Sequence, residues 1–186
     1  MKRAGRPALT IDVVVDSDRW AGAEDLQSTV RRAVTEAGAA LSIKGAELAV
    51  VLADDAAIRS LNRRWRGVDA ATNVLSFPTK NDASGHLGDI VLAFETIARQ
   101  ARSERKPLAH HIAHLAVHGV LHLVGYDHQR GEDARRMEET ERDILKRLGI
   151  PDPYRLRALP IPRRPPRRTA QRRAKAAAQR RAKRSR

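Results

Sequence analysis

The chain has 186 residues, 41% apolar and only 3% aromatic, enough for one domain whose core must be built from Val, Leu, Ile and Ala. It has no cysteine, which excludes disulfides and thiolate metal sites; no run nears the roughly 20 apolar residues a membrane crossing needs, the basic N-terminal MKRAGRPALT has no apolar stretch behind it and does not read as a secretory signal, and a cytoplasmic protein is expected. The formal net charge of +14 is unevenly spread: residues 155–186 carry 14 of the 36 Lys and Arg and no acid, leaving 22 basic against 22 acidic residues in 1–154.

In chain order, Ile11–Val15 (IDVVV) is short and β-branched, a strand by composition. Leu26, Val30 and Val34 recur at helical spacing in 24–38, with Gly38 as the expected end. Glu47–Leu52 (ELAVVL) reads as a second strand, and Asp54 or Asp55 caps a helix through Ile58 and Leu61 toward Trp65. Thr72–Phe77 (TNVLSF) is a third strand stopped by Pro78, and 80–86, polar and containing Gly85, is a loop. Leu87–Phe94 (LGDIVLAF) is a fourth strand, followed by a helix over 95–105.

Pro107 suits the first position of the next helix, where its missing N–H costs nothing; this helix runs to about Val124 and ends at Gly125. A last amphipathic helix over 133–148 presents Met137, Ile144 and Leu148 and stops at Gly149. Strands and helices without strict alternation predict an α+β fold, a small mixed sheet of about four strands packed with about five helices. Residues 1–154 form this domain. The Arg-rich tail 155–186, Pro-rich and then Ala/Arg-rich, cannot bury enough apolar area to fold alone and is expected to be disordered.

The chemistry concentrates in His118-Gly-Val-Leu-His122-Leu-Val-Gly125-Tyr-Asp127-His128. Helix positions four apart lie about 40° and 6 Å from each other, so His118 and His122 can meet one ion. The break at Gly125 then lets a short turn bring His128 over the same face, giving three imidazole nitrogens in reach of one zinc. His114 and His118 are also four apart, but His114, His118 and His122 together span about 12 Å of helix, too far for one ion. No third ligand is so well placed for a 114/118 pair. His110 and His111 read as surface or packing residues and His86 as a loop residue.

Three histidines without cysteine leave zinc a vacant position, as in a catalytic rather than a structural site. Asp127 either closes that position as a fourth ligand, orients a metal-bound histidine, or shapes the turn. The spacing equals the metzincin peptidase pattern H-E-x-x-H-x-x-G-x-x-H, but Gly119 stands where those enzymes carry their general base, which argues against peptide hydrolysis.

The segment HGVLHLVGYDH resembles the signature of the YbeY family of bacterial metal-dependent endoribonucleases, and the resemblance extends to LNRRWRGVDAATNVLSFP (61–78) and LGDIVLA (87–93). It covers roughly residues 47–150; Trp65 departs from the usual Tyr, and the Arg-rich tail lies outside the pattern. The resemblance implies a small mixed sheet with several helices, one Zn2+ per chain on His118, His122 and His128, and a catalytically important arginine at Arg66. It also implies single-strand-specific cleavage of ribosomal RNA, in 16S 3′-end maturation and quality control of the ribosome small subunit. Thr72, Asn73 and Ser76 are near Arg66 in sequence and can line the cleft, while Asp89 reads as structural.

The tail arginines Arg163, Arg164, Arg167, Arg168, Arg172 and Arg173 are expected to bind RNA phosphates, with neither DNA nor membrane as partner. The rival reading is a non-catalytic RNA-binding ribosome-assembly factor with a structural zinc.

Overall fold

The computed structural model describes residues 9–79, 85–128 and 130–154. Four strands form one sheet: β1 (Thr10–Val15), β2 (Glu47–Ala53), β3 (Val74–Pro78) and β4 (His86–Ala93), in the order β1-β2-β4-β3. β1, β2 and β4 run parallel, and β3 lies antiparallel on the β4 edge. Among the described residues five α-helices accompany them, with one 3-10 turn at Asp18–Trp20: α1 (Glu24–Ala40), α2 (Asp55–Arg66), α3 (Phe94–Ser103), α4 (Leu108–Leu123) and α5 (Gly131–Arg147). The expected mixed sheet with about four strands and five helices is present.

Strand side chains alternate between two apolar layers. On one face Leu48, Val50, Leu52, Ile90 and Leu92 join the buried positions of α1, α4 and α5. On the other, Ala53, Leu75, Val91 and Ala93 meet Ile58 and Leu61 of α2. Helix α4 packs against α1, α3, α5 and strands β3 and β4. Its surroundings explain why it is apolar on nearly all sides, with Ile112, Leu115, Val117, Val120 and Leu121 all buried.

Several boundaries depart from expectation. Gly38 does not end α1, which runs to Ala40; a Cβ there would lie 2.7 Å from Leu9 Cδ2, so this glycine admits a close neighbour. Pro78 belongs to β3 instead of stopping it, because an edge strand tolerates a missing donor. Thr72 and Asn73 precede that strand. His86 opens β4, and Phe94 starts α3 instead of closing the strand. Helix α3 stops at Ser103, and α5 starts earlier, at Gly131.

Pro107 is the capping residue before α4 and not its first helical position. At α2 the capping role falls to Asp54, whose Oδ1 accepts the Ala57 N–H at 2.8 Å. Gly125 (φ +91°) and Gly149 (φ +73°) follow the ends of α4 and α5, where left-handed backbone is needed. Loop residues 80–84 and the whole tail 155–186, including the six arginines expected to bind phosphates, lie outside the described residues.

Candidate metal centre

Helix α4 carries His118 and His122 one turn apart near its C-terminal end. Beyond Leu123 the chain reverses tightly: Gly125 N–H donates to His122 O at 3.1 Å and Tyr126 N–H to Leu121 O at 3.0 Å. Asp127 Oδ1 then accepts the backbone N–H of His128 at 2.7 Å, which shapes the turn. These bonds swing residue 128 back over the helix end.

The three rings converge, with centroids 4.6 Å (118–122), 5.5 Å (118–128) and 5.1 Å (122–128) apart. One ligating nitrogen from each lies within 4.8 Å of the other two, the one such group of three among the described residues. The Nε2 atoms of His118 and His122 face each other at 3.0 Å. Nitrogens bound at about 2.0–2.1 Å to one tetrahedral ion stand a little over 3 Å apart, so the donor set fits such an ion. His118 and His122 are half-buried and His128 is exposed, so the centre opens to solvent on the side of residue 128. Asp127 is not a member of the group.

A contact that spacing did not suggest lies beneath the centre. Glu141 of α5 is 0% exposed, and its two oxygens accept from His118 Nδ1 at 2.7 Å and from His114 Nε2 at 3.2 Å. A carboxylate accepts, so Nδ1 of His118 carries the proton and Nε2 keeps its lone pair toward the other two rings. Burial pushes the Glu141 carboxyl upward, but the bonds from His114 and His118 outweigh it and hold the group down at about 2. His114, one candidate of the competing pair, is therefore directed to this carboxylate instead of the metal position. The available signal was one acid on the apolar side of an amphipathic helix; nothing in the chain order tied it to residue 118.

Burial, followed by repulsion from the neighbouring His118 and His128 rings, brings His122 down to about 4, so it is neutral and free to ligate near pH 7. His111 is also pushed down to about 4, mainly by burial. It is a packing residue: Nε2 meets Gln100 Oε1 at 3.1 Å, and Nδ1 is buried without a partner among the described residues.

Gly119 occupies the position of the metzincin base but points at the sheet. A Cβ there would lie 2.8 Å from Ile90 Cγ2 and 3.0 Å from Ile90 Cδ1, so no acidic side chain fits. Of the cleft candidates, Ser76 reaches α4, with its hydroxyl donating to Gly119 O at 3.3 Å. Asn73 bonds Gln100 and the Val74 N–H. Asp89 pairs with His86 at 3.2 Å, as expected of a structural carboxylate.

Arg66 is exposed at the last residue of α2, before Gly67 in left-handed conformation (φ +70°), and forms no ion pair among the described residues. Helix α2 lies on the opposite face of the sheet from α4, and the outer strand β3 joins the two sides. There, consecutive residues point both ways: Ser76 to Gly119, and Phe77 to Trp65 with centroids 6.1 Å apart.

A family model described as Endoribonuclease YbeY matches residues 14–149. The chain is 49% identical over 164 residues to an endoribonuclease YbeY of Bradyrhizobium diazoefficiens, spanning 82% of this chain and 90% of that protein. It is 50% identical over 159 residues to the protein of that name from Nitrobacter hamburgensis, spanning 80% and 84%. A third, from Bradyrhizobium sp., is 46% identical over 158 residues, spanning 80% and 94%.

Proposed function

The chain belongs to the endoribonuclease YbeY family, and on that premise we propose that it is a zinc-dependent, single-strand-specific endoribonuclease of the cytoplasm. It acts in ribosomal RNA processing, at the 3′ end of 16S RNA, and in quality control of the ribosome small subunit. The observation that carries this reading is the convergence of three imidazoles with one side open to solvent.

His118, His122 and His128 hold one Zn2+ per chain, since an all-imidazole donor set suits that ion. When bound, the ion supplies a Lewis acid that polarises a phosphoryl oxygen. Glu141 keeps the His118 proton on Nδ1, and Gly119 lets α4 lie against β4 so that the helix end faces the turn. Arg66 offers a permanently charged guanidinium to the negative charge that grows on the phosphoryl oxygens as the phosphodiester is attacked. With no room for an acid at residue 119, a general base in the peptidase manner has no place on this helix. The nucleophile is then either water or the RNA 2′-OH, and a cyclic phosphate at the cut 3′ end identifies the latter.

The decisive experiment is metal analysis combined with cleavage of structured ribosomal RNA by wild type, His122→Ala and Arg66→Ala. One zinc per chain is expected in wild type and in Arg66→Ala. Cleavage should fall by about 10²–10³ on losing the arginine, as for other groups that stabilise transition-state charge, and disappear with the metal. A folded, zinc-loaded wild type that cuts nothing while His118→Ala unfolds would favour the structural-zinc assembly factor instead.

A further inference from the structure

The last turn of α2 carries a surface that packing does not explain. Trp65 is 63% exposed and Val68 beside it 50% exposed, in a chain with only two Trp, two Tyr and two Phe. Such a chain would be expected to spend its large rings in the core, as it does with Trp20, which is 0% exposed and donates through Nε1 to Ala53 O at 2.9 Å.

Arg63, Arg64 and Arg66 surround Trp65 in sequence and are all exposed. None has a carboxylate oxygen within 4.0 Å among the described residues: Asp69 is bonded by Arg59 at 2.8 Å, and Arg63 adds only its field to that carboxylate. The Arg64 guanidinium lies 5.5 Å from the Trp65 ring centre. Cations at a helix C-terminus complement its dipole, which accounts for the charge but not for the indole.

An exposed planar ring with one guanidinium beside it and further arginines on the same helix turn matches one ligand chemistry well. The bases of an unpaired nucleic acid strand stack on the ring while the phosphates meet the cations. A duplex offers no free base faces, and an acidic protein segment would leave the ring uncovered. Position supports the match, because Trp65 packs on Phe77 and the adjacent Ser76 bonds the carbonyl of Gly119, next to His118. Strand β3 thus touches both the tryptophan and the helix that carries His118, which puts the two within the span of one RNA strand laid across this edge.

We infer that Trp65, with Arg63 and Arg64, is a stacking platform for one unpaired base of the RNA strand beside the cleavage position. The inference rests on the ribonuclease reading for the identity of the strand. The scarcity of aromatics is consistent with it: a single platform holds one base, unlike modules that spread several bases over an aromatic sheet.

The test uses the full-length protein and intrinsic fluorescence. A single-stranded 2′-O-methyl oligoadenylate, checked for integrity after each titration, should quench Trp65, while buried Trp20 serves as an unresponsive reference. Because these variants lack the reporting indole, their affinities are read from the anisotropy of the same oligonucleotide carrying a 5′ fluorophore: Trp65→Ala and Trp65→Leu should each weaken binding about tenfold, the lower part of the range for one stacked base. Trp65→Tyr, still planar, should remain within about twofold of wild type; matching melting temperatures exclude a folding defect. Annealing the complementary strand should abolish the quenching.

Equal affinity of Trp65→Ala and wild type, or weakening by Tyr as severe as by Leu, would overturn the platform. So would a blue shift of Trp65 emission with rising protein concentration and no oligonucleotide, which would make the patch a contact between copies. Cleavage without any Trp65 response would sink the platform alone. Quenching that depends on Trp65, in a protein that cuts no RNA with any metal, would sink the ribonuclease reading and leave the platform standing.

Discussion

Replacing Glu141 with Gln removes a charge and one acceptor while keeping shape, and the consequence can be worked from two contacts. Glu141 receives protons from His118 Nδ1 (2.7 Å) and His114 Nε2 (3.2 Å), using both oxygens. A glutamine side chain offers one oxygen and one NH2, so it can accept from only one of the two rings. The short bond to His118 is the one at risk: if the amide NH2 faces Nδ1, the ring must move its proton to Nε2, the nitrogen that faces His122. Such an imidazole cannot ligate until it is turned or deprotonated.

Loss of a carboxylate that orients a metal-bound histidine commonly weakens the metal by about 10–100-fold, roughly 1.4–2.7 kcal/mol. We therefore expect Glu141→Gln to bind zinc 10–100-fold more weakly in chelator competition and to fold at pH 7. Nitrogen shifts of His118 should move toward the Nε2-protonated tautomer. Glu141→Ala should additionally destabilise the metal-free protein, because the buried donors of His114 and His118 are left without their acceptor. Unchanged zinc affinity in a folded Glu141→Gln protein would refute the orienting role.

Gly119→Ala should destabilise by about 1–3 kcal/mol through overpacking against Ile90, partly offset by the helix preference of alanine, about 1 kcal/mol; a urea midpoint at or above wild type would show that Ile90 yields freely. The His111 ring ordinarily titrates near 6.5 and is held down to about 4 in the fold. Below 6.5 the unfolded chain takes up a proton that the folded one refuses, so this stability is complete above pH 6.5 and is lost as pH falls toward 4. Comparing unfolding at pH 7 and 4.5, wild type should lose on the order of 2 kcal/mol more than His111→Gln, and parallel pH profiles would disprove it.

If the tail holds about six phosphates of single-stranded RNA, log affinity should fall against log salt with a slope near −4. Deleting 155–186 should flatten that slope and spare cleavage of a short oligonucleotide; an unchanged slope removes the tether.

Much of the site was legible because ligand spacing is a local matter. His118, His122 and the break at Gly125 are separated by single helical turns, and a metal needs donors at fixed short distances, so the order of residues nearly dictates the triad. Glu141 was invisible because the contact joins α4 to α5 across 23 positions, and an acid on an amphipathic helix is ordinarily solvated. The role of Gly119 was half legible: the missing acid could be read, but not the Ile90 side chain that forbids one.

Element boundaries divided along similar lines. Asp54 starts a helix, and Gly125 and Gly149 end theirs, each acting through its own neighbours as composition suggests. Gly38 and Pro78 carry the same local signals, yet tertiary context overrules both: Leu9 packs on one, and the open edge of the sheet leaves the other without a donor to lose.

Spacing and composition by themselves determined that this is an α+β domain, and singled out His118, His122 and His128 as the three imidazoles that the fold then brings together. Only the packed structure decided which way His118 carries its proton, why residue 119 has no side chain, and that Trp65 stands in solvent on the far side of strand β3. The division is physical: periodicity and turn chemistry act over a few residues, whereas tautomers, steric exclusion and exposure are settled by whatever segment arrives from elsewhere in the chain.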